Sequence, residues 1–491
     1  MDYTIVIGLE VHVQLQTESK MFSACGTDFG LPPNTQTDPV SLGMPGTLPV
    51  MNGRAFELAL KTAVALHAEI APFTKWDRKN YYYPDLPKNY QISQYDLPFS
   101  LGGRLDVPPQ KDGSGGGTCR LTRVHLEEDT GKLTHGQGGS SEVDLNRAGI
   151  PLLEIVTEPD LRAPADARAC LEELRLTLRY LGVSDCEMQE GSLRCDANVN
   201  LHIGRDGRTI ATPIVEIKNL NSFRAVERAL NYEAERQYAA WKLDGLTIAD
   251  APKETRGWSD PEGVTKPQRR KETAADYRYF PEPDLVPVVV DRDWVERVRA
   301  SIGELPGARR ARFEREYGLS PYDANVLVEQ GEDVADYYAA VARATGAYKL
   351  ASNWVQQDIL RVAKERKVTL RDFPVRPETL ADLIGRVGRS ELNTNQGREV
   401  LARLIESGGT IDAIVAAGGH AMVSDRDAIA SAVEAALAAN PKAIDDLKGG
   451  KKKPEAVKGF LRGQVMKGTG GKADPALVGE ILDVKLAEFL A

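Results

Sequence analysis

Cysteine is scarce in this chain. There are five in 491 residues, at Cys25, Cys119, Cys170, Cys186 and Cys195, an odd count with no C-x-x-C pair. That excludes a disulfide framework and a zinc-finger type site, and it points to a reducing compartment, the cytoplasm. No apolar run approaches the roughly 20 residues that a membrane-spanning helix requires. The opening MDYTIVIGLE has no basic stretch ahead of an apolar one, so no signal or transit peptide is expected. G-x-x-x-x-G-K-[ST], H-E-x-x-H, G-x-S-x-G and G-x-G-x-x-G are all missing, which excludes a Walker-type loop, a zincin helix, a nucleophile elbow and a dinucleotide fingerprint. No hydrolytic nucleophile with a base and an orienting group is visible. The chain also lacks a positive balance: its net charge is −9, against a general nucleic-acid binder.

What is present is a set of alternating strands. In VIGLEVHVQL, residues 6–15, Ile7, Leu9, Val11, Val13 and Leu15 alternate with Glu10, His12 and Gln14. This is the pattern of a half-buried strand with a polar second face. SLRCDANVNLHI repeats it, with Arg194, Asp196, Asn198 and Asn200 opposite Leu193, Cys195, Ala197 and Val199. LTRVHLEED sets Arg123, His125 and Glu127 against Val124 and Leu126, with Glu128 and Asp129 following. PIVEIKN contributes Glu216 and Lys218, and GIPLLEIVTEPD contributes Glu154. If these strands share a sheet, their acids converge, and crowded like charges need cations. Carboxylates and imidazole suit Mg²⁺ or Mn²⁺; a merely solvated sheet face is the alternative.

Length and composition suit two to four soluble domains. An α/β body precedes a mostly helical remainder from about Trp294. In the body, RAFELALKTAVALHAEI has a helical face of Phe56, Leu60, Val64 and His67, and Ser222 or Asn221 is placed to cap a helix running on from Phe223. In the tail, Ser424, Pro454 and Asp474-Pro475 mark helix starts. Residues 75–96 interleave Trp76, Tyr81, Tyr82, Tyr83, Tyr90 and Tyr95 with Arg78, Lys79 and Lys88. They offer either stacking and anion contacts or a tyrosine-rich loop packed on the domain. Arg256, Lys266, Arg269, Arg270 and Lys271 form a similar stretch, bordering a polyanion or simply solvated. Between Lys448 and Lys472 stand eight Lys or Arg against one acid, and Lys451, Lys452 and Lys453 are candidate tRNA-phosphate contacts there.

Taken together, VIGLEVHVQL, DRKNYYYPDLPKNYQISQYD, HLEEDTGK, GIPLLEIVTEPD, GSLRCDANVN, EIKNLNSF and DYRYFPEPDLVPV resemble the GatB family, the tRNA-dependent amidotransferase component of the GatCAB complexes. GFLRGQVMKGTGGKADPALV is similar to the tail module that this family shares with YqeY proteins. The resemblance covers nearly the whole chain. It implies a multi-domain α+β protein: a glutamine-synthetase-like cradle with an antiparallel sheet over 1–292, an all-α domain over 293–412, and a YqeY-like, tRNA-binding helical tail over 413–491. It further implies ATP-dependent amidation of misacylated Glu-tRNA(Gln) or Asp-tRNA(Asn), or both, in a heterotrimer with GatA and GatC. ATP phosphorylates the side-chain carboxylate, and ammonia reaches it through a tunnel from the glutaminase GatA.

Carried residue by residue, the resemblance implies a metal site of Glu10, His12 and Glu128 for Mg²⁺, with Mn²⁺ as the alternative ion. Glu10, Glu128, Lys79 and Lys88 are the implied catalytic residues, the two lysines guiding ammonia or steadying an acyl phosphate. Glu127, Asp196, Asn198, Glu216 and Lys218 are the further ATP or substrate contacts. Many family members build a zinc site from cysteines near position 25 and a later C-P-x-C. Here residues 37–43 read TDPVSLG, so no structural zinc is expected. A non-catalytic RNA scaffold would not need the acid-bearing faces, and a ligase for a free small acid would not need the lysine-rich tail.

Overall fold

The alternation at the start of the chain becomes the centre of a sheet. In the computed structural model, β1 (Tyr3–Gln14) lies among β2 (Gly117–Glu128), β3 (Pro151–Thr157), β4 (Leu193–Arg205), β5 (Val215–Lys218), β6 (Glu254–Ser259) and β7 (Val264–Pro267). Their order is β7-β6-β5-β4-β1-β3-β2, and short edge strands bring the sheet to eleven strands among the described residues. Those residues are 3–109, 115–136, 139–205, 207–268, 277–418, 426–449, 453–469 and 473–489. The expected antiparallel sheet is corrected at one pair, because β5 and β6 run parallel. The helix Phe223–Asp244 lies between them in sequence, and a helical crossover returns the chain in the same direction.

Three helices bury one face of this sheet: α1 (Gly53–Ala65), α2 (Pro164–Leu181) and α3 (Phe223–Asp244). Ile7, Leu9, Val11 and Val13 of β1 are each at most 1% exposed. They share a core with Phe56 and Leu60 of α1, Leu171 and Leu174 of α2, and Val226 and Leu230 of α3. Each such side chain is worth roughly 1.5–3 kcal/mol buried, and a one-residue slip would expel the whole row. The polar residues between them are thereby committed to the other face. Ser222 caps α3 as expected, its hydroxyl accepting from the Ala225 N–H at 3.1 Å. α1 stops at Ala65, short of the expected His67, which takes φ +58°. The Leu66 carbonyl there accepts from the Arg104 N–H at 2.7 Å, closing the helix end onto the sheet edge.

The chain divides into two compact units, Met1–Arg309 and Arg310–Ala491. The second is helical throughout its described length. Its last helices, Arg426–Ala439, Pro441–Lys448, Pro454–Gly468 and Pro475–Glu488, gather Ile429, Val433, Leu461, Val465, Val478 and Leu482 into a core of their own. Pro454 and Pro475 open their helices as expected, and the Asp474 side chain accepts from the Ala476 and Leu477 N–H groups. Ser424 lies outside the described residues. Among the described residues, no helix is long and apolar enough to cross a membrane.

Candidate active site

The register of the sheet decides which polar side chains meet on its open face. His12 stands opposite Glu154 of β3 and Arg194 of β4, and Glu154 stands opposite His125 of β2. Glu10 stands opposite Asp196, and Asn198 opposite Glu216 of β5. Opposed side chains of an antiparallel pair lie about 5 Å apart at Cβ, so adjacent strands deliver acids and imidazoles to one patch. A cavity of about 450 Å³ opens over it, lined by Glu10, His12, Lys79, Glu127, Glu154 and Asp196 among others. Its size is that of a small-molecule site.

Two donor sets form there. His12, Glu127 and Glu154 have ligand atoms all within 4.8 Å of one another, and so do Glu10, Asp196 and Glu216. In the first set His12 Nε2 lies 3.6 Å from Glu154 and 3.8 Å from Glu127, while His125 Nε2 lies 3.2 Å from Glu154. Burial pushes the Glu154 carboxyl up, but the imidazoles of His125 and His12 outweigh it and hold the group well below the usual range. Burial likewise pushes His12 down, and the hydrogen bond and charge of Glu154 with the charge of Glu127 leave it raised. Burial opposes the charge on Lys79 too, yet Glu127 and the neighbouring acids and phenols raise it, so the ammonium persists inside the cavity.

In the second set Asn198 Nδ2 donates to Glu10 at 2.8 Å, and Thr255 Oγ1 donates to Glu216 at 2.9 Å. Lys218 donates to Asp196 and lies 3.6 Å from Glu216. Burial lowers Lys218, while Asp196 and Glu216 outweigh it and raise it. Behind the patch, buried Asp129 accepts from Gln14 at 2.8 Å and Arg194 at 2.6 Å, which fixes the Arg194 guanidinium beside the cavity.

The expected trio of Glu10, His12 and Glu128 does not assemble. Glu10 joins Asp196 and Glu216, His12 joins Glu127 and Glu154, and Glu128 joins neither set. Successive residues of a strand point to opposite faces, so Glu127 shares the His12 side while Glu128 turns back with Leu126. Its carboxylate pairs with Lys88 and accepts from the Ile92 N–H at 2.9 Å. Lys79 and Lys88 are thereby separated: Lys79 lines the cavity, and Lys88 does not. Of the tyrosine-rich stretch, Tyr81 lines the cavity, Trp76 is core and Tyr82 is exposed. Arg256 is buried in β6 and donates to Thr265 and Glu254, so it is a structural arginine and no surface anion contact. Arg269, Arg270, Lys271, Lys451 and Lys452 lie outside the described residues; Lys453 is exposed at the N-cap of Pro454–Gly468. Lys253, whose ammonium reaches Glu10 and Glu216, escapes sequence reading because it precedes its strand in a loop and belongs to no alternating pattern.

Residues 5–296 match the family model described as the GatB/GatE catalytic domain, and residues 336–486 match the one described as the GatB domain. The chain belongs to the GatB family. A Rhodopirellula baltica protein, by name the GatB-type component of an aspartyl/glutamyl-tRNA(Asn/Gln) amidotransferase, is 51% identical over 482 residues, covering 98% of this chain and 96% of its own length. Relatives of the same name from Moorella thermoacetica and Carboxydothermus hydrogenoformans are 50% and 45% identical, each covering 99% of this chain and all of their own length. Both donor sets, Lys79 and Lys253 fall inside the catalytic-domain match. The chain is thus one component of a multi-subunit amidotransferase, and its acid face lies in the family's catalytic part.

Proposed function

We propose that this chain activates the side-chain carboxylate of Glu-tRNA(Gln) or Asp-tRNA(Asn) with ATP and then receives ammonia to form the amide. The observation that carries the reading is the pair of donor sets beside a buried, charged Lys79 in one cavity of a GatB-family chain. One carboxylate oxygen bonds the γ-phosphorus as the bond to ADP breaks. Ammonia then bonds the acyl carbon, and that same oxygen leaves with phosphate.

The donor chemistry fits divalent cations. Glu10, Asp196 and Glu216 offer only carboxylate oxygens, as Mg²⁺ prefers, and the other set adds the His12 nitrogen, as Mn²⁺ accepts. A cation held there supplies positive charge to phosphate oxygens that would otherwise repel the attacking carboxylate. The chain's own cations extend that role. Lys79 remains charged in the cavity, and Arg194, oriented by Asp129, presents a planar donor to an anionic group. Asn198 holds Glu10 in place through its amide.

We assign glutamine hydrolysis to a separate chain, GatA, joined with GatC in a cytoplasmic heterotrimer, with ammonia passing between the chains. The absence of a hydrolytic constellation from the sequence supports this division. In the same reading 1–292 is a glutamine-synthetase-like catalytic cradle, 293–412 a helical domain and 413–491 a tRNA-binding tail. ATP cleavage by the reconstituted complex tests the reading, with misacylated tRNA, uncharged tRNA and free glutamate compared. Only misacylated tRNA should stimulate cleavage. Equal stimulation by free glutamate would indicate a small-acid ligase, and no cleavage with any of them would indicate a scaffold.

A further inference from the structure

Glu10, Asp196 and Glu216 crowd three carboxylates together, and the Glu216 side chain is wholly buried. Two ammonium groups answer this charge, and they differ in kind. Lys218 belongs to β5 and is hydrogen-bonded to Asp196. Lys253 comes from the loop ahead of β6 with 39% of its side chain exposed, and its Nζ lies 3.7 Å from Glu216 and 3.9 Å from Glu10. Those separations are electrostatic contacts, too long for hydrogen bonds. Lys253 therefore rests over the set on a flexible stem without being locked into it.

The oxygens it covers are the ones a cation would need. Thr255 already donates to Glu216 Oε2, so Oε1 is left, and Lys253 approaches that atom. It also approaches Glu10 Oε1, the oxygen that Asn198 holds in place. With both lysines present the three carboxylates keep one net negative charge; with Lys253 withdrawn they keep two, matching a divalent ion.

We infer that Lys253 is an exchangeable counter-ion of this set: it covers the Glu10–Glu216 edge in the metal-free protein, gives way when a divalent cation binds, and so weakens the affinity for that cation. The inference rests on the reading of the set as a cation site. It makes Lys253 a positioning residue whose removal improves one step of binding, an effect that loss of structure does not produce.

The test is titration of the full-length chain with Mn²⁺ alone, without nucleotide, following free Mn²⁺ by electron paramagnetic resonance. The share of binding lost in Glu10→Gln belongs to this set. For that share, Lys253→Gln should bind about five- to tenfold more tightly than the parent, since a unit charge about 4 Å away is removed from a half-exposed site. Lys253→Arg, which keeps the charge, should behave as the parent. If Lys253→Gln binds no more tightly while Glu10→Gln still loses binding, the counter-ion inference falls and the cation site stands. If neither the parent nor Lys253→Gln binds Mn²⁺, both fall.

Discussion

Glu127 and Glu128 are adjacent in sequence and face different worlds. Glu127 sits with His12 and Glu154 in the cavity, whereas Glu128 forms an enclosed pair with Lys88. Glu127→Gln should leave thermal stability nearly unchanged and slow ATP cleavage roughly a hundredfold or more, because the lost charge acts where transition-state charge develops. Glu128→Gln leaves the Lys88 ammonium buried without its counter-charge, and it should cost about 3 kcal/mol of unfolding free energy in a denaturant titration. Mn²⁺ binding abolished in Glu128→Gln, with stability intact, would restore Glu128 as a ligand. The parity of the strand was legible in LTRVHLEED, where alternation puts Arg123, His125 and Glu127 together. The family motif HLEED pointed one residue further, and at that position the backbone geometry is the better guide.

At the scale of the strand, β1 separates two jobs by parity. Odd residues hold the fold and even residues carry the chemistry, so the two can be damaged independently. Leu9→Ala should lower stability by about 2–5 kcal/mol through lost burial and a residual cavity. The folded variant should keep the parent's Mn²⁺ affinity. A large loss of affinity without a loss of stability would mean that the faces are not separate. This division explains what sequence could deliver. Long, strict alternation in β1 and β4 placed Glu10, His12, Asp196 and Asn198 on one face, and the caps Ser222 and Asp474 were legible from local chemistry. Which acids meet across strands was not legible, because cross-strand register is a tertiary property: His12 meets Glu154, and Glu10 meets Asp196, only once β3 and β4 are paired with β1. The parallel β5–β6 pair was hidden for the same reason, and Lys253 because a loop has no period to read.

At the scale of the whole molecule, an acidic chain carries a basic segment near its end. Neutralising Lys451, Lys452 and Lys453 should weaken tRNA binding at low salt and flatten the slope of log affinity against log salt by about 2, as for three lost phosphate contacts. Turnover at saturating tRNA should change little. An unchanged slope would make these lysines a solvated loop. The purified chain alone should hydrolyse no glutamine, and hydrolysis by it would contradict the division of labour between chains. The most direct measurement follows one oxygen atom. Misacylated tRNA labelled with ¹⁸O in the side-chain carboxylate, amidated by the complete complex with ATP, should give ADP and inorganic phosphate carrying one ¹⁸O from that carboxylate. Label found in AMP, or phosphate released without label, would show that the carboxylate is not activated by phosphoryl transfer.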